Sequence, residues 1–529
     1  MKYTLLTLIA FCFFISHTSA QAPSIQWQNT YGGTDGFDQA LSVISTLDGG
    51  YIVSGSTTSD DGQVTGVSFT NPGTAVSDMW VVKLSASGAL QWEKALGSLG
   101  LSSIGQSIIQ TSDTNYLVAG TYNDYLTNYV YIFKISHVDG SIIWRKSYGS
   151  NGSNSAANVI RETNNRGLIV AGYADSSYAA GAGTVSRGSL DYLVMLLDSA
   201  GTVQWQKTYG GANNDKANSI QQTRDSGYIV SGSSLSTDGD VTGHHGTATY
   251  QGEDYWVVKL SATGAIQWQK SLGGTGQDIS TSIQQTTDGG YIVGGYSAST
   301  DGDVTGLHTG GTVVTNPDNW LVKLDPTGTM QWEKTYGGTF SEYAYATQQT
   351  IDGGYMMGGS TNSVNGDVTP VHGTNNDFDY WLMKTDASGN LQWQKTLGGS
   401  NVDDGYSAIQ SADGGYMIAG NRSSTDGDLS GDPAGGFWVV KMAAPNGLSE
   451  ITAADNLRVY PNPAQDMVTV RSDESALVPY TLTDITGRVI LSGITKGKQT
   501  LIDIRSLCPG AYVLQTGEIN KESFKIVKE

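Results

Sequence analysis

Residues Asp254 to Gly274 read Asp-Tyr-Trp-Val-Val-Lys-Leu-Ser-Ala-Thr-Gly-Ala-Ile-Gln-Trp-Gln-Lys-Ser-Leu-Gly-Gly, two strand-like runs joined by a tight turn. The phrase recurs along the chain. Its second tryptophan stands at Trp27, Trp92, Trp144, Trp205, Trp268, Trp332 and Trp393, at intervals of 65, 52, 61, 63, 64 and 61 residues. Self-similarity at such a period marks a repeat architecture and has to be settled before any local motif is read.

Each repeat carries four strand-like segments. In the copy around the quoted phrase the pattern predicts strands over Ser219–Thr223, Tyr228–Gly232, Tyr255–Leu260 and Ile266–Ser271. The first two are joined by an Asp-Gly type turn, as at Asp48-Gly49-Gly50, Asp288-Gly289-Gly290 and Asp413-Gly414-Gly415, a hairpin signal between β-rich runs. The last two are joined by a turn whose glycine (Gly88, Gly140, Gly201, Gly264, Gly328, Gly389) precedes the repeating tryptophan by four residues. Large residues near the third-strand start (Trp80, Tyr131, Leu193, Trp256, Trp320, Trp381, Trp438) and the repeating tryptophans suit packing between neighbouring sheets, each ring removing roughly 150–250 Å² from water.

Four antiparallel strands per repeat, seven times over, describe a β-propeller. Trp27 belongs to a fourth strand with no three before it, and Trp438 to a third strand with no fourth after it. The fold class expected is therefore all-β: a seven-bladed propeller over residues 21–445, closed by pairing of its N- and C-terminal strands so that no edge is left bare.

Composition agrees with many short strands and turns, with 69 glycines, 11 prolines and only 15% charged residues. A formal net charge of -20 repels phosphate backbones and excludes nucleic acid as an expected partner. Residues 1–20, with Lys2, an apolar run from Leu5 to Ile15, and Ser19-Ala20, read as a secretory signal peptide, and no transmembrane segment is expected in the mature chain. Phe11 before Cys12 argues against a lipid anchor there. With that segment removed, Cys508 is alone and no intramolecular disulfide is possible.

The strand order puts the tight turns on one face and the long, polar loops on the other. Five long loops carry a related motif: Asp60-Asp61-Gly62-Gln63, Asp238-Gly239-Asp240, Asp301-Gly302-Asp303, Asn365-Gly366-Asp367 and Asp426-Gly427-Asp428. The same five repeats carry a crossover carboxylate, at Asp38, Asp215, Asp278, Glu342 and Asp403, where the other two have Ser103 and Ser155. Features that come and go together suggest contact. One reading has the carboxylate accepting hydrogen bonds that shape the loop. The other is a calcium site in each repeat, with Asp38, Asp215, Asp240, Asp278, Asp303, Asp403 and Asp428 as ligands, since hard cations take several oxygens. Calcium is the only cofactor the pattern admits. His245, His308 and His372 recur five residues after Asp240, Asp303 and Asp367, as repeated loop structure does. No G-x-S-x-G elbow, H-E-x-x-H helix or phosphate loop is present, and no catalytic residue stands out.

The Asp-Gly-Gly-Tyr-Ile-Val and Trp-Val-Val-Lys-Leu phrases resemble secreted β-propeller repeat proteins common in Bacteroidota. The turn and tryptophan of Asp325 to Trp332 look like the docking motif of pyrroloquinoline quinone propellers over one hairpin only, so the quinone site does not carry over. After a linker at 446–456, residues 457–529 resemble the type A C-terminal sorting domain of the type IX secretion system. The matching residues are Val459-Tyr460-Pro461-Asn462-Pro463, Asp484-Ile485-Thr486-Gly487-Arg488, Pro509-Gly510-Ala511-Tyr512-Val513-Leu514 and Lys525-Ile526-Val527-Lys528. Alternation at Met467–Arg471, Tyr480–Thr483, Val489–Leu491 and Ala511–Gln515 predicts a small antiparallel sandwich there. The resemblance implies passage through the periplasm, export by the type IX machinery acting on residues 457–529, and residence outside the cell or on its surface. The expected function is partner binding, to a glycan or protein, through the long-loop face. A polysaccharide-active or quinone-dependent enzyme and a structural adhesion component are the alternatives.

Overall fold

The computed structural model describes residues 21–444 apart from 69–75, 98–100, 125–126, 151, 179–185, 247–251, 309–315, 370–371, 373–376 and 430–434. It also describes residues 457–528 apart from 461–463, 473–478, 485–488, 496–498, 506, 508–509 and 517–521. The signal-peptide segment 1–20, the linker 446–456 and Cys508 lie outside the described residues. Contacts divide the chain into two units, one ending at Ala443 and one beginning at Ala444.

The first unit is all-β and consists of repeated four-stranded antiparallel sheets, numbered 1 to 7 here in order of their first strands. Sheet 4 is typical, with strands Asp215–Gln222, Tyr228–Ser234, Asp254–Leu260 and Ile266–Leu272 in sequence order across it. Its first strand begins four residues earlier than the sequence pattern indicated. The cause is a β-bulge between Ala217 and Ser219, which breaks the alternation and hides the paired start at Asp215↔Ser234. The same bulge recurs in every first strand, leaving Leu41, Gln106, Asn158, Asn218, Thr281, Tyr345 and Tyr406 outside the ladder.

Sheet 7 is assembled from both ends of the unit. Asp403–Gln410, Tyr416–Arg422 and Phe437–Met442 are joined by Ile25–Tyr31, which pairs antiparallel with Phe437–Met442 in the register Thr30↔Trp438. Side-chain contacts continue across that junction. Trp268 of sheet 4 meets Tyr291 of sheet 5 edge-on at 5.7 Å, and Trp27 of sheet 7 meets Tyr51 of sheet 1 in the same way at 5.9 Å. Val43 N of sheet 1 donates to Ser407 Oγ of sheet 7 at 3.1 Å.

The core lies between sheets. Trp80, Trp256, Trp320, Trp381 and Trp438 are fully buried, and the tyrosine hydroxyls of Tyr192, Tyr255 and Tyr380 donate to the carbonyls of Trp256, Trp320 and Trp438 in the following sheet at 2.8–3.1 Å. Buried Lys83, Lys259, Lys323, Lys384 and Lys441 each pair with the aspartate of their own sheet's first hairpin, at 2.8–3.0 Å. Sheet 3 has Leu196 and Asn165 at those positions, losing both partners together.

The second unit packs a three-stranded sheet (Leu457–Tyr460, Met467–Ser472, Gln499–Asp503) and a four-stranded sheet around Val468, Val470, Leu482, Ile502, Leu514 and Ile526. The sequence pattern missed Leu457–Tyr460, Gln499–Asp503 and the last strand, Glu522–Lys528.

Candidate functional site

The crossover carboxylates do not lie in loops: each opens the first strand of its sheet and is 0–1% exposed. Their oxygens are occupied by protein donors. Asp278 Oδ2 accepts from Gly274 N and Ser299 Oγ, both at 2.8 Å, and Oδ1 accepts from Ser297 Oγ. Asp215 takes the matching set from Gly211 N at 2.8 Å, Ser236 Oγ at 2.9 Å and Ser234 Oγ. Asp38, Glu342 and Asp403 accept from Gly33, Gly338 and Gly399 at 2.9–3.0 Å. Burial pushes Asp215 up to about 6 and Asp278 and Glu342 to about 7, against the opposing pull of these donors.

The acidic motif of each long loop closes on the same crossover. Its first side chain accepts from that segment, as in Thr275 N to Asp301 Oδ1 at 2.7 Å and Ser400 N to Asp426 Oδ1 at 2.7 Å. The motif glycine is obligatory. Gly302 has φ +66°, and a Cβ there would stand 2.3 Å from the carbonyl oxygen of Gly273. Ser103 and Ser155 in sheets 2 and 3 bond other backbone groups, Ser103 donating to Leu96 O and Ser155 to Asn128 O.

In sheets 1, 3, 4, 5 and 6 a buried carboxylate, Asp78, Asp191, Asp254, Asp318 or Asp379, opens the third strand, which the sequence pattern began one residue later, at Tyr255 in sheet 4. It explains the histidines. His245 donates its backbone N–H to Asp254 at 2.9 Å and holds Nδ1 2.9 Å from the same carboxylate, while Nε2 faces Asp303 of sheet 5 at 3.7 Å. His308 spans Asp318 and Asp367, with Nε2 at 3.8 Å, and His372 spans Asp379 and Asp428, with Nε2 at 3.7 Å. Arg187 takes the same place between Asp191 and Asp240. Four successive junctions, from sheet 3 to sheet 7, are therefore spanned by a basic side chain set between two carboxylates. Among the described residues no three His, Cys, Asp or Glu side chains are grouped to hold a metal ion.

A concave space lies elsewhere. A cavity of about 840 Å³ is lined by all seven first strands, from their bulged midpoints to the tight turns at Leu47, Ser112 and Asn164. Its walls are amide, hydroxyl and aromatic. Tyr345 and Tyr406 stand side by side with ring centroids 5.1 Å apart, and Asn158 and Asn218 each donate to a backbone carbonyl of the next sheet at 2.9 Å. The bulges are what expose these side chains to the cavity, a recurrent use of the extra residue beside functional sites.

Residues 458–529 match the family model described as the secretion system C-terminal sorting domain. Over 191 residues, 35% of this chain, the sequence is 25% identical to the regulatory protein FlaEY of Caulobacter vibrioides, and the match spans 19% of that protein's length. Among solved structures, the quinohemoprotein alcohol dehydrogenase of Comamonas testosteroni is similar at a TM-score of 0.42 with 11% identity, over 85% of this chain and 80% of that one. YCF48 bound to D1 peptide is similar at 0.39 with 10% identity, over 82% of this chain and the whole of that one.

Proposed function

We propose that this is an extracellular or cell-surface binding protein whose seven sheets close into a seven-bladed propeller, exported by the type IX system through its C-terminal domain. The match of residues 458–529 to a sorting domain carries the export half of the reading. The pairing of Ile25–Tyr31 with Phe437–Met442 supports closure. A rigid ring presenting a polar, tyrosine-bearing cavity suits recognition of a glycan, where hydroxyls meet amides and sugar faces meet rings. Screening the purified protein against a glycan array tests this: saturable binding to a defined set of glycans is expected, and a blank array overturns the glycan reading.

We further propose that Asp38, Asp215, Asp240, Asp278, Asp303, Asp403 and Asp428 serve as hydrogen-bond and ion-pair acceptors that hold the long loops, with no calcium. Each already faces protein donors, which supports that role. A chelator should then leave the melting temperature unchanged, and a fall of several degrees that added calcium reverses would establish the metal.

A further inference from the structure

The cavity has two unlike halves at one level of the strands. The third residue after the bulge of every first strand lines it. In sheets 3 to 6, which follow one another, that residue is Arg161, Gln221, Gln284 or Gln348; in sheets 7, 1 and 2 it is Ile409, Ile44 or Ile109. One arc carries N–H donors and the other carries none.

The glutamines are held with their donors free. Gln221 Oε1 accepts from Gln285 N at 2.6 Å, Gln284 Oε1 from Gln349 N at 2.7 Å and Gln348 Oε1 from Gln410 N at 3.0 Å, each in the following sheet. With the oxygens so fixed, the three NH2 groups have no protein acceptor among the described residues. Arg161 extends the row. Its Nη1 donates to Ile160 O at 2.9 Å and lies 3.5 Å from Ser107 Oγ, and among the described residues no carboxylate pairs with it. The adjacent Glu162 is engaged by Ser112 N at 2.8 Å and Ser112 Oγ at 2.9 Å.

We infer that this arc is a binding site for an acidic sugar: Arg161 takes its carboxylate, Gln221, Gln284 and Gln348 donate to ring and hydroxyl oxygens, and the half-buried Ile44 and Ile409 with Tyr345 and Tyr406 take its carbon-bound face. This rests on the glycan-binding reading above, which puts the site in the cavity and not on the long-loop face expected from the sequence. The donors select for acceptors. A single guanidinium, whose planar fork matches a carboxylate, balances one negative charge, whereas a phosphate dianion carries two. The apolar arc opposite the donors is what a sugar ring's C–H face needs and what a small inorganic anion does not.

The test is titration calorimetry of the purified full chain with the methyl glycoside of galacturonate, which carries one carboxylate, and with its methyl ester, in which that charge is removed. The acid should bind at least about tenfold tighter than the ester, a difference of 1.4 kcal/mol, and Arg161→Gln should abolish that preference without changing the melting temperature. Gln284→Leu should weaken both probes. Equal binding of acid and ester, or an Arg161→Gln protein that keeps the preference, overturns the assignment. Should Arg161→Gln fail to fold, the acid-to-ester comparison on the parent chain decides alone. A positive glycan array together with no uronate binding sinks the channel assignment and spares the binding function; a blank array with no uronate binding sinks both.

Discussion

Asp278→Ala is expected to lower the free energy of unfolding by about 3 kcal/mol at pH 5, with a smaller loss at pH 8, as read by urea denaturation. The substitution leaves Gly274 N–H and the hydroxyls of Ser297 and Ser299 without their shared acceptor in a site that is 0% exposed. A buried donor left unpaired costs about 1–3 kcal/mol, and the hydroxyls can rotate to recover part of it. Asp278→Asn keeps one acceptor oxygen and should lose about half as much.

The pH dependence follows from the direction of the shift. Burial, helped by the charge of Asp254, raises Asp278 from 3.8 to about 7. A folded-state pKa above the unfolded one means that the stabilisation is complete below the unfolded value and is lost as pH climbs toward the folded one. Asp215 and Glu342 shift in the same sense, to about 6 and about 7, so the parent chain should be more stable at pH 5 than at pH 8. His308 and His372, raised mainly by hydrogen bonds to Asp318 and Asp379, reinforce that slope above their ordinary value of 6.5. Below pH 4 the sign reverses. Although burial works the other way, the lysine and hydroxyl partners hold Asp113, Asp225 and Asp288 at about 2, and that contribution disappears as these groups protonate. A stability maximum at pH 8 would contradict the buried-carboxylate account, and Asp278→Ala should flatten the slope between pH 5 and 8.

The sequence made the architecture legible because the repeat enforces it. Trp27 without preceding strands and Trp438 without a following one pointed to a shared sheet, and Thr30 does face Trp438 there. The carboxylates and the acidic loops were legible as a pair because sheets 2 and 3 lack both. Other partners were hidden by distance or by geometry. His245 and Asp303 belong to different repeats, and only folding brings Nε2 within 3.7 Å of the carboxylate. Asp254 sits in plain view ahead of Tyr255 and Trp256, but its burial depends on the neighbouring loop. The channel arc was the least visible feature. Arg161 and Gln221 lie beyond a bulge that shifts the alternation by one residue, so no period-two count shows which way they point.

Removing residues 21–31 should cost more than any single substitution. The deletion strips Phe437–Met442 of its outer partner and exposes a row of backbone donors and acceptors at the sheet edge. It also removes Trp27, whose Nε1 donates to Ala86 O at 3.1 Å, and Tyr31, 3% exposed, whose hydroxyl donates to Gly88 O. Each ring buries roughly 150–250 Å², worth roughly 4–6 kcal/mol at 25 cal/mol per Å² before entropy is set against it. Both bonds reach sheet 1, so the loss falls on the junction between the first and last sheets rather than within one sheet. If the sheets close into a ring as proposed, the parent chain should unfold as one transition, and the shortened chain should melt more than about 10 °C lower and over a broader range. Adding a peptide of residues 21–31 in trans should restore much of the difference, because an added strand recovers the same ladder. If the shortened chain melts with the parent's temperature and sharpness, the two ends do not carry the ring.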